Sequence, residues 1–332
     1  MSEPKICIAG LGGVGGLIAA RIARAGQPVS ALARGDNLRA VREQGLVLLD
    51  GAPDTQQRSV VQVCASDDAR ELGPQDLLVV SVKTTALESI AADIAPLIGP
   101  HTAIVTAMNG VPWWFFEAIG GRWQGTRLAS CDPHGRLAAA MPAAQIIGCV
   151  VHLSATMTAP GVVTHRAGNH LIIGAPGGAA HPRLPLLAEV LRQAGFETDS
   201  SAQIERDVWL KLWGNMTVNP ISALTGATGD QILNDDLVRE YMSAAMREAA
   251  QIGDAIGLPI GMTPDERHAI TRKLGAFRTS MLNDAQARRP LELDALIGAV
   301  VEMGRLTGVP TPAIDSLFGM ARLFGRVHRM YA

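Results

Sequence analysis

The sequence predicts an α/β N-terminal Rossmann-type domain followed by an all-α C-terminal domain. Three observations predict it. Short apolar runs alternate with helical patterns through the first third, a glycine-rich turn joins the first run to the first helix, and from about Ser201 onward only long helical patterns remain. Strands that alternate with crossover helices build a parallel sheet covered on both faces, so each strand reads as a short continuous apolar run.

In chain order, residues 6–9 read as the first strand, and residues 14–25 carry helical apolar spacing that stops at Gly26. Residues 29–33, 77–82 and 102–107 read as further strands, with a helix over about 86–97. The runs 146–153, 162–165 and 171–173 are separated by Pro and Gly; they read as strands extending the same sheet, with antiparallel pairing open to them. A helix over about 184–194 closes this part. Helices are then expected over 204–224, 237–256, 264–282, 292–307 and 312–324. The resulting division is a first domain at 1–198, with an insertion at about 111–144, and a helical domain at 199–332.

Composition narrows the function. The chain has 332 residues, 48% of them hydrophobic, and a formal charge of −2, which fits a folded protein of about two domains and offers no basic stripe for nucleic acid. Apolar runs such as 77–80 are far too short to span a bilayer. A strand-like run begins at Lys5, leaving no room for a secretory signal, so a cytoplasmic address is expected. The four cysteines (Cys7, Cys64, Cys131, Cys149) form no C-x-x-C pair, and His165 and His170 bracket a glycine turn, so no metal site is expected.

Two stretches carry chemistry. Gly10-Leu11-Gly12-Gly13-Val14-Gly15 fits G-x-G-x-x-G between a strand and a helix, the context in which that pattern cradles a dinucleotide pyrophosphate at a helix N-terminus. At the end of the second strand stands Arg34, 19 residues past Gly15. A guanidinium there grips a ribose 2′-phosphate, whereas a carboxylate would hold a 2′-hydroxyl, so NADP(H) is preferred over NAD. Asp36 supplies that carboxylate if the strand ends later. In the second stretch, Lys211, Asn215 and Asn219 recur every four residues and share one face of an otherwise apolar helix. An ammonium on such a face can stabilise and protonate the oxyanion formed when hydride reaches a carbonyl carbon. By itself the stretch reads more readily as a surface lysine with two asparagines bonding a neighbouring helix.

Taken together, the Gly10–Gly15 turn, Ser81-Val82-Lys83, Met108-Asn109-Gly110, the 209–224 helix and the 279–294 segment resemble, in order and over nearly the whole chain, the ketopantoate reductase (2-dehydropantoate 2-reductase) family. The resemblance implies NADPH-dependent reduction of a 2-oxo acid in pantothenate and coenzyme A biosynthesis. It implies Arg34 as the 2′-phosphate contact, Lys83 near the cofactor, and Asn109 beside the nicotinamide and the catalytic lysine. It also implies Lys211 as the general acid, Asn215 and Asn219 as substrate contacts, Ser280 on the substrate carboxylate and Glu292 on the distal hydroxyl, with the active site between the domains. A second enzyme reading is a reductase of another oxo acid, and a non-catalytic NADPH-binding regulator would have no need of Lys211, Asn215, Ser280 and Glu292 together.

The chain departs from the family at two places. The loop 225–230 lacks the family's asparagine, and Val111-Pro112-Trp113-Trp114-Phe115-Phe116 opens an insertion holding three of the five tryptophans. That insertion either packs as structure or walls the site for a bulkier oxo acid. The apolar C-terminal helices, including residues 317–324, can pack within the domain or form a homodimer.

Overall fold

Ten strands pair into one sheet in the computed structural model, which describes residues 3–51 and 55–332. They are β1 (Ile6–Ala9), β2 (Val29–Leu32), β3 (Leu46–Asp50), β4 (Gln57–Val61), β5 (Cys64–Ser66), β6 (Leu77–Val80), β7 (Ala103–Ala107), β8 (Ile146–Ala159), β9 (Val162–Gly174) and β10 (Glu197–Ser200). The spatial order is β4-β3-β9-β8-β7-β6-β1-β2-β5, with β10 also beside β9. The segment from β5 to β8 is parallel throughout. β1 lies between β2 and β6, in register at Ile6↔Val29 and Ile6↔Leu77. The chain therefore reverses its winding direction at β1, and the crevice beyond the carboxyl end of that strand is where such sheets bind ligands. Helix α1 (Gly13–Arg24) crosses from β1 to β2 and buries Leu17, Ile18 and Ile22 against the sheet.

The stretch 146–174 differs from expectation in an instructive way. It forms two long antiparallel strands rather than three short ones, because the polar residues 166–170 keep their pairing with β8 through a series of bulges. Apolar patterning cannot see a strand segment whose side chains face water. The same reason hides β4, β5 and β10, which are short or half polar, whereas β3 is a buried apolar run that the sequence reading left unassigned. Beneath this part of the sheet runs a charged network. Arg21, on α1, donates from Nη2 to Asp50 Oδ1 at 3.1 Å, and His165 Nδ1 stands 2.9 Å from the same oxygen. Burial alone would raise the Asp50 carboxyl, but the Arg21 charge and the hydrogen bonds from His165 and Arg21 outweigh it and hold the group below the usual carboxylate range.

The chain resolves into two compact units. One comprises the chain up to Met108 with Glu117–Gly120 and Gly135–Ile204; the other comprises Asn109–Phe116, Gly121–His134 and Glu205–Ala332. Most of the insertion expected inside the 1–198 domain therefore folds with the helices. Its aromatic residues are the reason. Trp114, Phe115 and Phe116 are among the most deeply buried side chains, Phe115 packs on Trp209, and Trp123 Nε1 donates to Ala255 O at 3.0 Å.

In the described residues of the second unit the regular elements are helical. They are α7 (Ile204–Thr225), α8 (Gly229–Asn234), α9 (Asp236–Ala255), α10 (Pro264–Arg272), α11 (Ser280–Gln286), α12 (Ala299–Thr307) and α13 (Pro312–Val327), following α2 (Gly35–Gln44), α3 (Ala69–Leu72), α4 (Thr84–Ala91), α5 (Arg136–Ala140) and α6 (Leu184–Gln193) of the first. The single helix expected over 264–282 is two. Thr263 and Glu266 form a capping box that starts α10, Lys273 ends it, and Thr279 caps a fresh start by accepting from Leu282 N. The helix expected from Glu292 begins with a π-helical turn at Asp294–Gly298 before α12. No helix among the described residues is long and apolar enough to cross a membrane.

Candidate active site

The glycine turn is built as a phosphate cradle. Gly10 holds φ +102°, and a Cβ there would stand 2.6 Å from Val82 Cγ1. A Cβ on Gly15 would meet Gly10 O and Ser81 Oγ at 2.1 Å, so α1 can approach β1 only with glycine at that position. Gly12 is different: nothing lies within 4 Å of where its Cβ would be, and as N-cap it makes no side-chain bond to the first turn of α1. Open space in front of uncapped N–H groups at the positive end of a helix suits an anion.

A cleft of about 270 Å³ lies there, lined by Gly10, Leu11, Gly12, Ala33, Arg34 and Asn37 with Val82, Ala86 and Ser89 opposite. Of the predicted residues, Gly10, Leu11, Gly12 and Arg34 reach this lining, while Gly13, Val14 and Gly15 belong to α1 and set its approach. Lys83 is the N-cap residue of α4 on the far wall, outside the lining. Arg34 is 59% exposed and pairs with Asp93. Asp36 is not in the lining; it is 69% exposed and accepts from Arg39 at 2.7 Å. The sequence reading missed Asn37, whose Nδ2 donates to Leu11 O at 3.3 Å while its Oδ1 accepts from Gly161 N at 3.1 Å. It stands one helical turn after Arg34, but nothing in its residue type marks it.

In the second unit, Lys211 and Asn109 come into direct contact: Lys211 Nζ donates to Asn109 Oδ1 at 2.6 Å across 102 residues of sequence. Gly110 fixes the Asn109 backbone. It has φ +83°, a Cβ there would stand 2.7 Å from Ala295 O, and the next residue, Val111, donates its N–H to that oxygen at 2.8 Å. Ala295 lies in the π-helical turn Asp294–Gly298, three residues after Glu292, so the Asn109 backbone is tied to the segment that carries Glu292. Single π turns recur at functional sites, where the extra residue frees a carbonyl for another partner.

Between 211 and 220 only Lys211, Gly214 and Asn215 of α7 are not buried, which leaves a narrow open stripe. Asn219 is buried, one residue before the internal Pro220. Trp209 and Trp213 face inward, with Trp213 Nε1 donating to Met246 O at 2.7 Å, so the lysine helix is fixed by aromatic packing on its closed side. Ser280 is exposed at the start of α11; its neighbour Thr279 is the buried hydroxyl, 2.5 Å from Ser222 Oγ on α7. Glu292 is half-buried. Trp113, Trp114, Phe115 and Phe116 are all buried to 5% exposure or less, so this aromatic run supports α7 from within the core.

A switch-point crevice with an open helix N-terminus, together with a lysine held by an asparagine on a half-open helix face, defines a nucleotide-binding α/β oxidoreductase. The ketopantoate reductase PanE/ApbA model matches residues 6–113, and the C-terminal model of the same family matches residues 203–324. The 2-dehydropantoate 2-reductase of Mesorhizobium japonicum is 40% identical over 319 residues, covering 96% of this chain and 97% of that protein. Among solved structures, a provisionally assigned ketopantoate reductase from Ralstonia solanacearum MolK2 superposes with a TM-score of 0.94 at 50% identity, covering 99% of this chain and 100% of the other. The 2-dehydropantoate 2-reductase of Geobacter metallireducens GS-15 superposes with a TM-score of 0.82 at 27% identity, covering 96% and 99%. The chain belongs to the ketopantoate reductase PanE/ApbA family.

Proposed function

We propose that this chain reduces the 2-oxo group of 2-dehydropantoate (ketopantoate) with NADPH, giving pantoate for pantothenate and coenzyme A synthesis. The observation that carries this reading is the Lys211–Asn109 hydrogen bond on the open stripe of α7. A neutral amide orients the ammonium without neutralising its charge. NADPH, when bound, supplies hydride to C2; Lys211 stabilises the charge that develops on the carbonyl oxygen and donates the proton. Asn215 and Asn219 serve as substrate contacts, Ser280 binds the carboxylate and Glu292 accepts from the distal hydroxyl. Residues 1–198 bind the cofactor and residues 199–332 the substrate, with the aromatic insertion assigned by its packing to the second role.

The cleft supports NADP over NAD. Arg34 lines it, whereas Asp36, the one carboxylate that could hold a 2′-hydroxyl, turns to Arg39. A 2′-phosphate would compete with Asp93 for the Arg34 guanidinium. Buried aromatics argue against a pocket enlarged for a bulkier oxo acid. A cytoplasmic address accompanies this reading. So does self-association through α13, whose Met320, Leu323 and Val327 are exposed.

The test is NADPH oxidation with ketopantoate, beside a panel of bulkier 2-oxo acids and repeated with NADH. Efficient turnover of ketopantoate with NADPH is expected. Preference for a bulkier acid would move the specificity elsewhere, and tight NADPH binding with no turnover of any 2-oxo acid would replace the enzyme with a regulator.

A further inference from the structure

Glu292 stands in an irregular segment. Helix α11 ends at Gln286 and the π-helical turn starts at Asp294, so no regular element fixes residues 287–292. What holds them is the chain beyond α13. That helix ends in a Schellman motif: Met330 N donates to Gly325 O at 2.7 Å and Arg329 N to Arg326 O at 3.1 Å, with Arg329 in the left-handed region at φ +57°. The motif folds residues 330–332 back along the helix, where a Cβ on Gly325 would stand 2.6 Å from Tyr331 Cβ. Met330 is buried, and Arg326 Nε donates to Ala332 O at 3.0 Å. A non-glycine residue at positive φ is uncommon, and the contacts around it keep it there.

The folded-back residues grip the Glu292 segment on both sides. Leu291, one residue before Glu292, donates its N–H to Met330 O at 2.9 Å. Asp294, two residues after Glu292, accepts from Tyr331 Oη at 2.6 Å. Burial, then the bond to Asp294 and its negative charge, push the Tyr331 hydroxyl up to about 12, so it remains a donor at any working pH. Two bonds that bracket Glu292 within four residues leave its backbone little freedom. A carboxylate on a fixed backbone loses less entropy when a ligand hydroxyl reaches it.

We propose, on the reading of Glu292 as the contact for the distal hydroxyl, that Tyr331 is a positioning residue that sets the preference for a 2-oxo acid bearing that hydroxyl. It acts through Asp294 and the backbone on either side of Glu292, not by contact with substrate. Losing this clasp therefore lowers discrimination rather than chemistry, because the Lys211–Asn109 bond does not involve it.

The experiment is steady-state kinetics with NADPH on ketopantoate and on its 4-deoxy analogue, 3,3-dimethyl-2-oxobutanoate. Wild type, Y331F, D294A and the double variant are compared, with amide exchange at Leu291 measured in parallel. Y331F is expected to raise KM for ketopantoate about 3- to 10-fold, the scale of one lost hydrogen bond. KM for the deoxy analogue, KM for NADPH and kcat should change little, so the preference between the two acids narrows. D294A should act in the same selective way. The double variant should be no worse than either single one, since both remove the same bond. Exchange at the Leu291 amide should quicken in Y331F. An unchanged KM ratio between the two acids in Y331F, or full additivity in the double variant, overturns the proposal. A wild-type protein that handles both acids equally well, or neither, fails the reading of Glu292 or of the reaction instead. The clasp is then judged by amide exchange, and a Leu291 rate that Y331F leaves unchanged overturns it.

Discussion

The glycine cleft of the first unit and the lysine stripe of the second are built from different materials. The cleft is a backbone object: its shape comes from a positive-φ glycine at Gly10, a close approach at Gly15 and open N–H groups at Gly12, all within six consecutive residues. The stripe is a side-chain object: Lys211 and Asn109 come from segments 102 residues apart and meet where Gly110 seats against Ala295 and Trp209 and Trp213 fix α7. A backbone site fails when atoms are added to it. A side-chain site fails when a functional group is removed, and the fold survives. Lys211→Ala therefore has the largest expected effect on activity and the smallest on structure. It should lower kcat by roughly 100-fold or more, as loss of a general acid does, with NADPH affinity and melting temperature retained. An intact kcat would end the mechanism, and a collapse in stability would end the contrast between the two regions.

Paired glycine variants sharpen the contrast from the other side. Gly15→Ala forces a Cβ to within 2.1 Å of a backbone carbonyl and should destabilise the first unit by about 1–3 kcal/mol or more. Gly12→Ala meets nothing within 4 Å, so thermal stability should stay within about 1 kcal/mol of wild type while NADPH affinity drops. Equal losses of stability in both variants would show that the turn does not separate packing from binding in this way. Melting curves with and without NADPH read both quantities.

The same difference decides what the sequence could reveal. A backbone site written in six contiguous residues is visible as a pattern, and so is the strand-then-helix context that makes it credible. Lys211, Asn215 and Asn219 were visible as a stripe because helical spacing is local. Their link to Asn109 spans 102 residues and came only through family resemblance. The packing of the aromatic insertion with the helices was also hidden, because burial of Trp113–Phe116 depends on partners such as Trp209 that are remote in sequence. The break between α10 and α11 is hidden for another reason: apolar spacing continues across it, and only the caps at Thr263 and Thr279 mark two helix starts.

Cofactor choice gives a smaller, directional effect. Arg34 is exposed and already paired with Asp93, so its side chain contributes little to stability. Arg34→Ala should weaken NADPH binding by roughly 1.5–3 kcal/mol, the range for a charge-assisted hydrogen bond, and leave NADH nearly untouched. Equal weakening of both cofactors would assign the guanidinium to the shared pyrophosphate and reopen the case for NAD.

The smallest expected effect separates the two units by pH. Asp50 has its carboxyl held below the usual range by Arg21 and His165, so it binds fewer protons folded than unfolded across the interval between the two pKa values. Its contribution is complete above the unfolded value of about 3.9 and is lost as pH falls through that value toward the folded one. The network ties α1 to β3 and β9, all in the first unit, whereas all five tryptophans (Trp113, Trp114, Trp123, Trp209 and Trp213) belong to the second. Tryptophan emission therefore reports the helices alone, and amide exchange in α1 and β3 reports the nucleotide-binding sheet. On acidification the protection of α1 and β3 should fall before tryptophan emission shifts. Asp50→Asn should lower that protection at neutral pH and flatten its dependence on acid. Simultaneous loss of both signals, or an unchanged acid profile in Asp50→Asn, would mean that the units unfold as one and that the Arg21–Asp50–His165 cluster does not set the acid limit of the first.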